Sequence, residues 1–327
     1  MTLLQAIILG IVQGLTEFIP VSSTAHLVFA SRAVGLYDGI DAALRAEQTT
    51  ATIAVLQLGT LLAVLIYFAR DILTITQAFV RDHLALVTGG NNDRALPNPG
   101  TPAPASPARQ PRWGGGGLPG RRPRGRASAV LSQEAWLGWL VIIGSIPVAV
   151  VGLLFKKQIE GTFTKNLWVI ATMMIVIAVF LGLAELVGQQ KRSMEHLGLF
   201  DALVVGFAQC LALIPGSSRS GSTIMAGLFA GEVRETAARF SFLLSIPAVA
   251  ASGLLELKEA MHKLPHGSYG PLFVGTLASA AVGYVSIWFL LRYLKTHSTG
   301  VFIVYRLLVG GLILIGLLSG QLSAAVK

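Results

Sequence analysis

Six apolar runs, at about 48 to 68, 135 to 155, 166 to 187, 236 to 257, 271 to 294 and 301 to 320, each approach the ~20 residues that an α-helix needs to cross a bilayer. Hydrocarbon offers no partner to backbone amides, so a spanning segment must satisfy them internally. The chain is 53% hydrophobic and 13% charged, with mean hydropathy +0.68. The composition agrees with a polytopic, all-α membrane protein whose solvent is lipid.

Two further apolar regions, about 3 to 36 and 198 to 231, are broken by Pro20-Val-Ser-Ser and Pro215-Gly-Ser-Ser. Proline removes a helical donor, and irregular backbone at membrane depth is tolerated only where protein or a cavity surrounds it. Each region therefore reads as a re-entrant helical hairpin. The order becomes hairpin, three spans, hairpin, three spans. An odd number of spans per half inverts the second half relative to the first, a pattern common among transporter folds. The expectation is one membrane domain over 1–327. Its first repeat, 1–187, carries a loop at about 89–130, and its second, inverted repeat covers 198–320.

That loop accounts for much of the net charge of +9. Arg94 to Arg126 contains seven arginines and no acidic residue, in a Pro/Gly-rich context that cannot build a core. It reads as a disordered topology signal, with contact to anionic lipid headgroups as the alternative and no nucleic acid as a partner. Arg70 and Arg81 are expected in the same loop as this tract, and Lys191, Arg192, Arg234, Arg239, Arg292 and Lys295 fall on the same side as it. Arg45, Lys156, Lys157, Lys165, Lys258, Lys263 and Lys327 fall on the other, so the first side is expected in the cytoplasm. The hairpins then enter from opposite faces. Met1 to Ala6 lacks the basic start of a secretory signal and is read as mature protein. The single cysteine, Cys210, excludes an internal disulfide framework.

The polar residues of the two breaks carry the chemistry. An ionisable side chain at membrane depth is costly, so Glu17, His26 and Arg219 require a cavity and a purpose. Pro215-Gly-Ser-Ser-Arg-Ser-Gly-Ser-Thr223 has the makings of an oxyanion cradle. Ser217, Ser218, Ser220 and Thr223 can donate to phosphate oxygens, Arg219 supplies a permanently charged fork, and a helix N-terminus adds positive potential. Ser22 and Thr24 of the first break can donate in the same way. Gln13 and Glu17, at i and i+4, project from one helix face and could share a hard divalent cation such as Mg²⁺ or Ca²⁺. Glu17 could equally act as a general acid or base. His26 follows Ser23 by three residues, which admits either a covalent phosphoryl-enzyme on Ser23 or water activation by His26.

These two motifs, Gln13-Gly-Leu-Thr-Glu17 through Ser23-Thr-Ala-His26 and Pro215 through Thr223, resemble the signatures of the bacterial undecaprenyl-diphosphate phosphatases, the bacitracin-resistance family. The likeness extends to Gln57-Leu-Gly-Thr-Leu-Leu-Ala-Val and Arg239-Phe-Ser-Phe-Leu-Leu-Ser-Ile-Pro. The resemblance implies metal-dependent removal of the terminal phosphate from a long-chain prenyl diphosphate, recycling the lipid carrier for cell-wall synthesis. It puts Glu17, Ser23, His26, Ser218 and Arg219 in an active site opening toward the outer face of the inner membrane. Gln13 departs from the glutamate that many members carry, which weakens its case as a metal ligand. The basic tract is longer than the family core requires and inherits no role from it.

A transporter or flippase of an anionic prenyl lipid is the rival expectation, because the inverted repeat is a transport architecture. The Lys-x-x-x-x-x-x-Arg-Pro motif of a separate lipid phosphatase family does not occur in the chain. A homodimer is compatible with the sequence, which does not fix the oligomeric state.

Overall fold

The structure, a computed structural model, describes residues 1–88, 131–155 and 166–324. The basic tract at about 89–130 lies outside the described residues, as do Lys156, Lys157, Lys165 and Lys327. The described residues form helices α1 (Leu3–Phe18), α2 (Ser23–Ala33), α3 (Ala42–Tyr67), α4 (Ala69–Val87), α5 (Gln133–Leu154) and α6 (Leu167–Val187). They continue with α7 (Leu199–Gln209), α8 (Arg219–Phe229), α9 (Arg234–Lys263), α10 (Tyr269–Leu294) and α11 (Gly300–Leu318).

Six of these, α3, α5, α6, α9, α10 and α11, are long and apolar enough to cross a membrane. They coincide with the six apolar runs, and the protein is a multi-pass, all-helical membrane protein. One element was not anticipated. The segment carrying Arg70 and Arg81 is not a loop but the amphipathic helix α4, which continues α3 after Phe68 and packs on α5. Its polar residues break the apolar run without breaking the 3.6-residue periodicity, so a search for spans overlooks it.

Both proline-containing breaks separate two short helices, α1 from α2 and α7 from α8. Their first arms pack crosswise: α1 lies on α10, and α7 lies on α5. Small residues permit this closeness, as expected where lipid supplies no hydrophobic drive and contact must come from packing. A Cβ added at Gly10 would sit 2.1 Å from the Gly275 carbonyl oxygen, and one at Gly206 would sit 2.4 Å from that of Gly144. The start of α1 is fixed by a capping box, in which the Gln5 amide donates to Thr2 Oγ1 at 3.2 Å and Gln5 Oε1 accepts from the Thr2 amide at 2.8 Å.

Most of the ion pairs join residues near helix ends. Arg239 meets Asp71 at 2.6 Å, Arg234 meets Glu185, Lys295 meets Glu235 at 3.2 Å, and Arg192 meets Asp201 at 2.5 Å. These arginines and the lysine belong to the set placed on one side of the membrane from sequence. Lys263 pairs with Glu47 at 3.2 Å and Arg45 with Asp38 at 2.7 Å, both from the opposite set.

Candidate active site

The tips of the two helix–turn–helix units meet in the interior. Each short second helix begins at a serine in left-handed backbone: Ser22 (φ 76°) is the N-cap of α2, and Ser218 (φ 68°) is the N-cap of α8. Such backbone is rare for a residue with a Cβ and persists only where its surroundings hold it. Here the surroundings are the opposite tip. Ser220 Oγ donates to the Glu17 and Ile19 carbonyls, each at 3.4 Å. Arg306, fully buried on α11, donates to the carbonyls of Pro20 (3.3 Å), Gly216 (2.9 Å) and Ser217 (3.0 Å) and to Met173 and Met174 of α6.

Glu17 is the centre of the arrangement. Its Oε2 accepts from Gln13 Nε2 at 3.1 Å and from Ser23 Oγ at 3.0 Å, while its Oε1 accepts from Arg219 Nη2 at 3.2 Å. The Glu17–Arg219 pair joins residues 202 apart in the chain, with side chains only 7% and 11% exposed. The edge-to-face contact of Phe18 with Phe242, at 5.2 Å, belongs to the largest apolar core and lies immediately beside Glu17 in sequence.

The spacing of Ser23 and His26 does not bring these two together. Ser23 faces Glu17 instead, and His26 Nδ1 lies 2.7 Å from the Ser22 carbonyl, with Nε2 2.6 Å from the Tyr305 hydroxyl. The reason is helical: His26 stands one turn beyond Ser22, so its ring folds back onto that carbonyl. In the second tip, Ser218 Oγ accepts from the Gly221 amide and contacts Ser220 Oγ, both at 3.2 Å. Thr223 Oγ1 donates to the Arg219 carbonyl at 2.8 Å and meets Ser241 Oγ at 2.6 Å, so it supports the cradle from below. Ser217 Oγ donates to the Ile214 carbonyl at 2.7 Å. Thr24 is exposed and makes none of these contacts.

Several polar atoms at the tips are buried without a protein partner: Gln13 Oε1, Ser22 Oγ, Arg219 Nε and Ser222 Oγ. Left so, each would incur a substantial desolvation cost, and a polar ligand would satisfy them. Two cations, Arg219 and Arg306, and one carboxylate, Glu17, share the site with the N-termini of α2 and α8, so the site favours an anion. Gln13 Oε1 and the Glu17 carboxylate supply two oxygens for a hard cation. Among the described residues there is no group of three or more His, Cys, Asp or Glu side chains that could hold a metal ion. An ion here would therefore need phosphate oxygens and water to complete its shell.

Sequence reasoning missed Tyr305, Arg306, Ser222 and Ser241. Arg306 was findable, since a charged residue inside the run from 301 to 320 is the same signal that singled out Glu17 and Arg219.

The model of the bacitracin resistance protein BacA family matches residues 6–312. An undecaprenyl-diphosphatase of Syntrophobacter fumaroxidans is 48% identical over 314 residues, covering 96% of this chain and 97% of that one. Proteins of the same name from Mycolicibacterium gilvum (43% identical over 327 residues, 99% and 100% covered) and Chloroherpeton thalassium (42% over 333 residues, 99% and 100% covered) are also similar. With its two motifs joined at one buried site and the family model matching nearly from end to end, the chain belongs to the bacitracin resistance protein BacA family.

Proposed function

We propose that this protein hydrolyses undecaprenyl diphosphate to undecaprenyl phosphate and inorganic phosphate, recycling the lipid carrier of cell-wall synthesis and so conferring bacitracin resistance. The observation that carries the reading is the buried contact of Glu17 with Arg219, which makes one anion-binding site out of two motifs. Arg219 and Ser218 hold the diphosphate and stabilise the charge that spreads over the transferring phosphoryl oxygens, while Ser220 joins the two tips.

Ser23 is the nucleophile and Glu17 the group that takes its proton, because Glu17 Oε2 accepts from Ser23 Oγ. A bond forms from Ser23 Oγ to the terminal phosphorus. The bond from that phosphorus to the bridging oxygen breaks, and its electron pair leaves with undecaprenyl phosphate. Glu17 gives the proton it took from Ser23 to the departing bridging oxygen and is again a carboxylate. Water then attacks the phosphoserine phosphorus, giving its proton to Glu17. The bond from phosphorus to Ser23 Oγ breaks with its electron pair on Oγ, and Glu17 returns the proton to Oγ as inorganic phosphate leaves. Gln13 and Glu17 would hold a divalent cation, Mg²⁺ or Ca²⁺, which would neutralise phosphate charge when bound.

The two helix–turn–helix units form re-entrant hairpins that enter from opposite membrane faces, and the halves are an inverted repeat. The reciprocal packing of α1 on α10 and α7 on α5 supports that arrangement. The larger basic set lies in the cytoplasm of the inner membrane's host, and the site opens outward. Purified protein in detergent, given undecaprenyl diphosphate and a divalent ion, is expected to release phosphate, and Arg219→Ala is expected to abolish release without preventing insertion. Tight lipid binding with no release by the wild type would favour a transporter of the prenyl lipid instead.

A further inference from the structure

His26 is held at both ring nitrogens, and its second partner lies on a helix that neither motif contains. A carbonyl oxygen can only accept, so the 2.7 Å contact with the Ser22 carbonyl puts a proton on Nδ1. In the neutral ring Nε2 is then an acceptor. The hydroxyl that faces it is that of Tyr305 on α11, 2.6 Å away, donating. The two rings are also nearly parallel, 12° between planes with centroids 5.6 Å apart, so the Ser22 carbonyl sets the tautomer while Tyr305 fixes the tilt of the imidazole.

Tyr305 is itself held in place. Its neighbour Arg306 donates to five carbonyls, on both tips and on α6, which pins the rotation and height of α11 against the site. The side chain of Tyr305 is not core filling, since the residue is 41% exposed.

We propose that Tyr305 is a positioning residue for the phosphatase reaction, holding the His26 ring, whose Nδ1–H tautomer the Ser22 carbonyl sets, in one orientation through a hydrogen bond to Nε2. The proposal rests on the hydrolytic reading given above. It makes His26 a proton shuttle beside the Glu17–Ser23 pair and ties α11 to the chemistry.

The test is Tyr305→Phe, which keeps the ring and removes the hydroxyl, with Tyr284→Phe as a control. Tyr284 packs against Tyr67 at 5.3 Å and makes no contact with His26. In detergent with undecaprenyl diphosphate, Tyr305→Phe is expected to lower kcat by about 10- to 100-fold with KM changed less than about twofold, a part of the ~10²–10⁴-fold worth of acid–base catalysis. Tyr284→Phe should match the wild type. The ¹⁵N signals of His26, assigned by comparison with His26→Gln, should report an Nδ1–H, Nε2-acceptor ring in the wild type and a changed ring in Tyr305→Phe. Unchanged kcat, or a lowered kcat with His26 signals identical to wild type, overturns the proposal. If the wild type releases no phosphate, the hydrolytic reading fails, and the nitrogen signals alone still decide whether Tyr305 holds Nε2.

Discussion

Replacing Glu17 by glutamine keeps the volume and removes the charge, and its consequences can be worked out bond by bond. Glu17 now accepts three hydrogen bonds, from Gln13 and Ser23 on one oxygen and from Arg219 on the other. An amide cannot accept on both sides. Turned one way, its NH₂ confronts Arg219; turned the other, it confronts Gln13 and Ser23. Either way Arg219 loses its countercharge in a setting where its side chain is 11% exposed. Removing one member of a buried pair costs about 3–5 kcal/mol of stability. Loss of the group that takes the Ser23 proton is a separate effect. General base catalysis is worth about 10²–10⁴-fold, and at 1.36 kcal/mol per decade that is about 2.7–5.4 kcal/mol of barrier. We therefore expect Glu17→Gln to lower kcat by about 100- to 10,000-fold in a phosphate-release assay and to lower the Tm in detergent. The double variant Glu17→Gln, Arg219→Met should regain most of the lost Tm, because an unpaired buried charge is gone, yet regain no activity. A Glu17→Gln enzyme with kcat within about threefold of wild type would refute the assignment of Glu17 as proton acceptor.

Ser23→Ala should abolish a phosphoserine that rapid acid quench of the wild type traps; an alanine variant with near-normal turnover would instead place the attack on water. Gly10→Val should fail to give stable protein, because its Cβ would meet the Gly275 carbonyl at 2.1 Å and lift α1 from α10; a well-folded variant with wild-type Tm would contradict that packing. Glu232, between α8 and α9, is fully buried with neither carboxyl oxygen partnered, and its pKa is pushed up to about 8, first by burial and then by Asp201, against the opposing Arg192. The folded state therefore holds a proton that the unfolded chain has released above its ordinary value of 4.5, so stability should fall as pH rises from there to about 8. Glu232→Gln should flatten that part of the Tm–pH curve. Asp82 behaves oppositely: hydrogen bonds from Ser132, then Arg81, lower its pKa to about 2, so its contribution is present above 3.8 and is lost as pH falls through about 2. Asp82→Asn should remove that acid dependence.

The sequence by itself determined the spans, since run length and apolarity follow directly from bilayer thickness. It also determined which residues needed a cavity, because charge at membrane depth has no cheap alternative. Glu17, Arg219 and the tip serines were legible for that reason. Helix α4 was not, because its charged face reads as loop when only spans are sought. Partnership inside the site was decided by tertiary structure. Local spacing suggested Ser23 with His26, but the turn at Ser22 sends the imidazole back to a carbonyl and out to Tyr305, and gives the serine to Glu17. Tyr305 and Arg306 lie 279 or more residues beyond their partners His26 and Pro20, so no local pattern could pair them. Hydrophobicity acts along the chain and is read there, whereas hydrogen bonds depend on direction and distance, which exist only once the helices have packed.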